Sequence, residues 1–359
     1  MVTRENIIKR LTQLGYATSE TDNEIIDFVI PWVDGADPVW QAEREARAKQ
    51  IGKEENCDNR NERYRDWDNL KYWFRGVEKF APWVHKIYFV TWGCVPEWLN
   101  TQHPKLQVIY HSDFIPEKYL PTFNANSIEL NFHRIPGLAE NFVYFNDDMF
   151  LLNPILPDLF FRDGKPTDML ALQPVVANAD DTVMPYIYLN DSMVLAKYFD
   201  KRANMKRQPG AYWHIGYPFL YFVYNFLELF FPKFTGFYTV HGPSPLRCET
   251  YRMIWEKEAS LLDEVCSHPF RSAKDVNQYL LREWQKLEGG FIPKNVARPC
   301  RYYNIGASNG KLIDTIRKRK AKMICINDNM GSFDFDLVKS EINCAFESIL
   351  PGKSKFEKE

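Results

Sequence analysis

Four short apolar runs, each closed by a polar loop and separated by stretches of helical periodicity, constrain this chain more than any other feature. Ile26-Asp27-Phe28-Val29-Ile30 stops at Pro31 and leads to Asp34-Gly35; residues 85–91, 106–110 and 141–145 follow, the last running directly into Asn146-Asp147-Asp148. Between them, 38–50 and 66–80 read as helices, the second placing Leu70, Phe74 and Val77 on one face. Residues 126–132 read as a shorter one. Strands alternating with helices predict βαβ units, and so an α/β fold with a mainly parallel sheet flanked by helices on both faces. Ligands of such sheets collect at the carboxyl ends of the strands, where the loops 32–37, 92–93 and 146–148 fall.

A length of 359 residues fits one large domain or two modest ones. The reading here is a polar extension over 1–24, with no secretory signal, and a single catalytic domain over 25–352. The pattern is less regular from about 155 to 300, which predicts a helical or irregular insertion serving as lid or acceptor region. A frayed tail over 353–359 is expected. Lys+Arg (45) nearly cancels Asp+Glu (47), so no basic field exists to hold nucleic acid. Seven scattered cysteines without a C-x-x-C read as reduced thiols rather than a disulfide framework or zinc site. The most apolar stretch, 219–231, is interrupted by Asn225 and Glu228 and is shorter than the about 20 residues a membrane span needs. It reads as a buried helix, with a segment lying on a membrane surface as the alternative. The basic run 317–322 reads as a solvated helix face. The aromatic surplus reads first as core filling.

The adjacent carboxylates Asp147 and Asp148 repel each other unless a cation or fixed donors compensate, and a divalent ion bridging phosphate oxygens is the obvious compensator. Capping of the next turn is the simpler alternative. Asp34-Gly35 reads as a plain turn, or as a loop whose backbone approaches a nucleotide where Gly35 permits close passage. His241 and Arg271 carry no signal of their own. The residues alone therefore lead to an α/β protein handling metal and phosphate, with sugar-nucleotide chemistry as one candidate.

Longer segments carry a resemblance. Ile26 through Pro38, RYRDWDNLKYWFRGVEKFAPWVHKIYFVT (63–91) and LPTFNANSIELNFHRIPGLAENFVYFNDDMFL (120–151) resemble the first two conserved regions of the Stealth family. His241-Gly242-Pro243 resembles the third region, and Cys325-Ile326-Asn327-Asp328-Asn329 through Pro351 the fourth. The resemblance implies a Rossmann-like, GT-A-like fold and a sugar-1-phosphate transferase acting in capsule or exopolysaccharide synthesis, related to the eukaryotic GlcNAc-1-phosphotransferase. It implies a nucleotide-sugar donor, usually a UDP-sugar that releases UMP, and a glycan acceptor that can be lipid-linked. The competing reading is a metal-dependent glycosyltransferase that releases UDP. Carried over residue by residue, the resemblance assigns catalysis to Asp148, His241 and Arg271. It assigns donor and substrate contacts to Asp34, Gly35, Asn126, Glu129 and Arg134, and Mg²⁺ or Mn²⁺ to Asp147, Asp148 and Asp328. It also implies a bacterial enzyme at the cytoplasmic face of the membrane; the lack of a spanning segment leaves room for peripheral membrane contact, and the charge balance predicts no nucleic-acid partner.

Overall fold

The computed structural model describes residues 25–51, 57–58, 64–178, 181, 183–328 and 333–358. The expected polar extension 1–24 and most of the polar loop 51–62 lie outside them. The chain opens with β1 (Ile26–Trp32), α1 (Pro38–Ile51), the two-residue β2 (Cys57–Asp58) and α2 (Leu70–Phe80). It continues through β3 (Ile87–Thr91), β4 (Leu106–Tyr110), α3 (Ala125–Leu130) and β5 (Asn141–Tyr144). β5, β1, β3 and β4 lie side by side and all run parallel, with Phe28 opposite Val143 on one side and Ile87 on the other. Successive side chains of β1 point to opposite faces. Ile26, Phe28 and Ile30 enter one core cluster and Val29 the other. A strand covered on both faces has to be apolar at both parities, which is why it reads as a run rather than an alternation.

After β5 the chain turns through Asn146–Asp148 into β6 (Met149–Leu151), which belongs to a second sheet. Then come β7 (Ala171–Leu172), α4 (Met184–Tyr198), α5 (Lys201–Arg207), α6 (Phe219–Glu228) and β8 (Phe237–Tyr238), which pairs antiparallel with β7. β9 (Ser244–Arg247) returns to the main sheet and pairs antiparallel with β5, Ser244 opposite Tyr144. α7 (Cys248–Lys257), α8 (Ala259–Ser267), β10 (Arg271–Ser272) and α9 (Gln278–Glu288) follow. The chain ends with β11 (Cys300–Asn304), α10 (Gly310–Arg317), β12 (Met323–Asn327) and α11 (Phe335–Ile349). The second sheet runs β11-β12-β6, with β11 parallel and β6 antiparallel to β12. It packs with α2, α10 and α11 on one face of the main sheet, while α3 and α7 to α9 cover the other. The expected α/β architecture with a mainly parallel sheet is what the chain adopts.

Three expectations need correction. The irregular stretch 155–300 is not one insertion, because β9 completes the main sheet and α7 to α9 pack on it. The segment between β6 and β9 adds no strand to the main sheet but still lends Leu170, Leu172, Leu195 and Tyr212 to its core. Ser-Pro-Leu-Arg hides its identity as a strand: it is short, and Pro245 has no N–H to donate, which an edge strand tolerates. Residues 353–358 do not fray. Ser354, Phe356 and Glu357 are buried, and Glu357 takes the Arg75 guanidinium of α2 in a two-bond fork, both at 2.8 Å. The basic run 317–322 is mostly a turn rather than a helix face. Arg319, with φ at 51°, donates to Leu152 O at 2.8 Å, and Lys322 donates to Pro154 O at 2.8 Å, so these cations close off neighbouring carbonyls. Six cysteines are free thiols, as expected, while the Cys57 side chain lies outside the description.

Candidate active site

β5 and β6 belong to different sheets, and the four residues from Phe145 to Asp148 lead the chain from one to the other. Asp148 is fixed there from the backbone outward, since its carbonyl accepts Ile326 N–H of β12 at 2.9 Å. Its carboxylate divides its work. Oδ2 accepts the Cys325 thiol at 3.2 Å and lies 3.8 Å from His241 Nε2, whereas Oδ1 is buried with no hydrogen-bond partner. The thiol is pushed well above its ordinary value by burial and then by the Asp148 charge, so it stays a donor.

His241 reaches this point because β9 pairs with β5 and draws the preceding loop over the strand end. The loop is clamped by α9. Arg282 donates to Val240 O at 2.9 Å and to Ser244 Oγ at 3.2 Å, while Asp168 holds its guanidinium from behind. Glu283 accepts Thr239 Oγ1 at 2.6 Å, and Tyr279 OH bonds His241 Nδ1 at 2.7 Å. The Tyr302 ring meets the imidazole edge-on at 5.5 Å. Gly242 is required by crowding: a Cβ there would stand 2.9 Å from Cys300 Sγ.

A cavity of about 1700 Å³ opens over this cluster, lined also by Asp147, Asp328, Asn126, Glu129, Arg271, Tyr188 and Tyr302. Asp147 lines this cleft with its side chain open to solvent, and the crowding of protein around it, then Asp148 and Asp66, raise its carboxyl to about 7. Asp328 faces Arg65 at 3.9 Å. Glu129 accepts Tyr144 OH at 2.8 Å through Oε1, its other oxygen has no partner, and burial raises its pKa. Arg271 lies against Met184 Sδ at 3.6 Å and, among the described residues, pairs with no carboxylate. It is held in place by Asp275, which is fully enclosed. Asp275 Oδ2 accepts Asn124 Nδ2 at 2.9 Å, Asn126 Nδ2 at 2.8 Å and Ser272 N at 3.0 Å, and Oδ1 bonds His268 Nδ1 at 2.7 Å. One carboxylate thus ties α3 to the strand that carries Arg271.

The sequence-predicted residues divide accordingly. Asp147, Asp148, His241, Arg271, Asn126, Glu129 and Asp328 share one cavity. Arg134 does not join them; it is exposed and stacks on Trp255 at 4.6 Å. Asp34 and Gly35 do not line the cavity either. Asp34 closes its own turn by accepting Ala36 N–H at 2.8 Å. Gly35 gives passage to protein backbone, because a Cβ would stand 1.8 Å from Tyr64 O. Sequence reasoning missed Cys325, Tyr279, Arg282 and Asp275. Cys325 stands inside a quoted motif but reads from sequence only as one of seven reduced thiols, and no local pattern marks the others.

Asp148, His241 and Cys325 each place a donor atom within 4.8 Å of the others, a grouping that could hold a metal ion. The protonated thiol suits a hard cation poorly, whereas the unpartnered Asp148 Oδ1 fits one.

Comparison with known proteins agrees with these motifs. The family models for Stealth conserved regions 1, 2 and 4 match residues 25–52, 63–169 and 314–359. Capsular polysaccharide phosphotransferase WcwK of Streptococcus pneumoniae is 38% identical over 333 residues, covering 93% of this chain and 99% of that protein. Receptor polysaccharide phosphotransferase WefC of Streptococcus oralis is 37% identical, covering 92% and 99%. Exopolysaccharide phosphotransferase cps2G of Lactiplantibacillus plantarum is 38% identical, covering 93% and 96%. Among solved structures, galactosyltransferase LgtC with donor and acceptor sugar analogs aligns with a TM-score of 0.36 at 10% identity, covering 89% of this chain and 95% of that one. With three conserved regions matched in order and relatives of this identity aligned along nearly their whole length, the chain belongs to the Stealth family.

Proposed function

We propose that this cavity transfers sugar-1-phosphate from a nucleotide sugar, a UDP-sugar in the first instance, to a hydroxyl of a surface glycan. The observation that carries the reading is the convergence of Asp148, His241 and Arg271 in one cavity large enough for two substrates. The names of the full-length relatives support it. In this reaction the acceptor oxygen bonds to the phosphorus next to the sugar. The bond from that phosphorus to the bridging oxygen breaks, and UMP leaves with the electron pair.

Phosphoryl transfer asks a protein mainly for positioning and charge compensation. His241 Nε2 takes the acceptor proton while Nδ1–H donates to Tyr279, and Asp148 Oδ2 steadies the imidazolium that results. Arg271 offers a guanidinium fork to the transferring phosphoryl, whose oxygens carry the developing charge. Glu129 and Asn126 present their unpartnered oxygens to sugar hydroxyls. Mg²⁺ or Mn²⁺ would be held by Asp148 Oδ1 with Asp147 and Asp328, and when bound it supplies charge neutralisation on the diphosphate. The same reading puts the enzyme on the cytoplasmic side of the membrane, with an acceptor carried on lipid.

Nucleotide release tests this. Purified protein given Mg²⁺ or Mn²⁺, a panel of UDP-sugars and a glycan acceptor should release UMP with one donor. Asp148→Ala and Arg271→Ala should each lower that rate about a hundredfold or more while remaining folded. Release of UDP instead would move the attack to the anomeric carbon and make the protein a glycosyltransferase.

A further inference from the structure

α6 is built inside out. A helix on the surface of a water-soluble domain turns its apolar stripe inward and its polar residues to solvent. Here the positions at core spacing are Tyr221, Asn225 and Glu228, all buried. The polar pair is satisfied internally. Asn225 accepts Leu172 N–H at 2.9 Å and donates to Tyr212 O at 2.6 Å, while Glu228 is neutralised by the buried Lys201 and also accepts Thr235 Oγ1. The apolar residues face outward: Phe219 is 81% exposed and Phe230, just past the helix, 73%, with Leu220, Val223 and Phe226 between them. Ile215, in the turn before the helix, is 93% exposed.

Cations predominate in the segment that carries this face, with the exposed Glu288 lying near Arg207 alone among them. Between Lys201 and Arg247 the sole acidic residue is Glu228, already neutralised inside. Arg202, Lys206, Arg207 and Lys233 are exposed; Asp200, at the margin, faces Lys233 at 4.0 Å and caps α5 by accepting Ala203 N–H at 2.9 Å. Exposed aromatic and aliphatic side chains bordered by cations, on a helix with a polar inner face, match what an anionic lipid surface binds. Another protein's apolar groove would not require the cations. Among the described residues no helix is long and apolar enough to cross a membrane, so the contact would be one of lying on the surface. The inner side of α6 reaches toward the site, with the Tyr221 ring packed 4.4 Å from that of Tyr238, a residue of the cavity wall.

We propose that α6 and the turn after it form a foot that seats the protein on an anionic membrane surface, its aromatic face in the interfacial layer and Arg202, Lys206 and Lys233 among the headgroups. The assignment does not depend on the reaction, and its test needs no turnover. The full protein should float with vesicles of phosphatidylglycerol and phosphatidylcholine, and much less with vesicles of phosphatidylcholine alone. The triple change Phe219→Ser, Phe226→Ser, Phe230→Ser should cut the bound fraction at least about tenfold, and Arg202→Glu with Lys206→Glu should remove the preference for phosphatidylglycerol. All five positions are exposed, so unchanged thermal unfolding would establish that the variants fold. Wild-type protein that stays off both vesicles, or a triple variant that binds as wild type does, would overturn the proposal. So would a wild-type dimer, without vesicle binding, that the triple change splits into monomers; the apolar face would then belong to a second copy of this chain.

Discussion

Asp275 shows how much of the site rests on groups that never meet substrate. Its carboxylate receives two asparagine amides, one backbone N–H and one imidazole nitrogen, and is itself fully enclosed. Removing it strands several buried donors at once, and a stranded buried donor costs far more than an average hydrogen bond contributes. Asp275→Ala should therefore destabilise the protein by about 3 kcal/mol or more, read from urea unfolding. Asp275→Asn should recover most of that loss. Its oxygen can keep the Asn124, Asn126 and Ser272 donors, while its amide faces His268, whose ring can present Nδ1 as an acceptor instead. An Asn variant as damaged as the Ala variant would mean that the negative charge, not the acceptor, is what holds Arg271 and α3 together.

At the scale of elements, α9 organises the His241 loop, and its start is tied to α4 by a buried carboxyl. Asp191 of α4 accepts Asn277 N–H at 3.2 Å through Oδ1, and its Oδ2 has no partner. Burial lifts its pKa well above the ordinary carboxylate value, only partly offset by the Asn277 N–H. The native protein then holds this proton more tightly than the unfolded chain does. The resulting stability is fully present below the unfolded value of about 4 and is lost as pH rises through the folded value. Asp191→Asn keeps the Oδ1 acceptor and cannot ionise, so it removes that slope. Its melting temperature relative to wild type should be higher at pH 8 than at pH 5, measured by thermal unfolding at both. A difference independent of pH would mean that Asp191 does not titrate in this way.

For the whole molecule, the closing residues act as a clasp. Arg75 of α2 lies at the other end of the chain in sequence, yet it donates to Glu357 in a fork, to Glu347 at 2.9 Å and to Leu350 O at 2.8 Å. Removing Glu357 strands two donors of a buried guanidinium and leaves it only the half-exposed Glu347 as a counter-charge, so Glu357→Ala should cost about 3 kcal/mol in equilibrium unfolding. A frayed end would show no change. The same pairing explains why composition gave no hint of it: Ser-Lys-Phe-Glu-Lys-Glu reads as a solvated tail until the arginine 282 positions earlier is brought beside it.

By itself the sequence determined the parallel strands, because a strand buried on both faces must be a continuous apolar run, and that run is local. It also determined that the acidic pair closes β5, and the family motifs named most of the residues that share the cavity. What only the tertiary structure decided is everything that depends on pairing between distant segments. Ser-Pro-Leu-Arg becomes an edge strand only when β5 offers it a ladder, and that pairing, with the clamp from α9, carries His241 to Asp148. Cys325 becomes a partner of Asp148 because β12 lies beside β6. Arg134 and Gly35 leave the site for the converse reason. A motif fixes residue type and spacing, whereas what lies beside a residue is set by packing: Trp255 holds the Arg134 side chain, and the Tyr64 backbone fills the space beside Gly35.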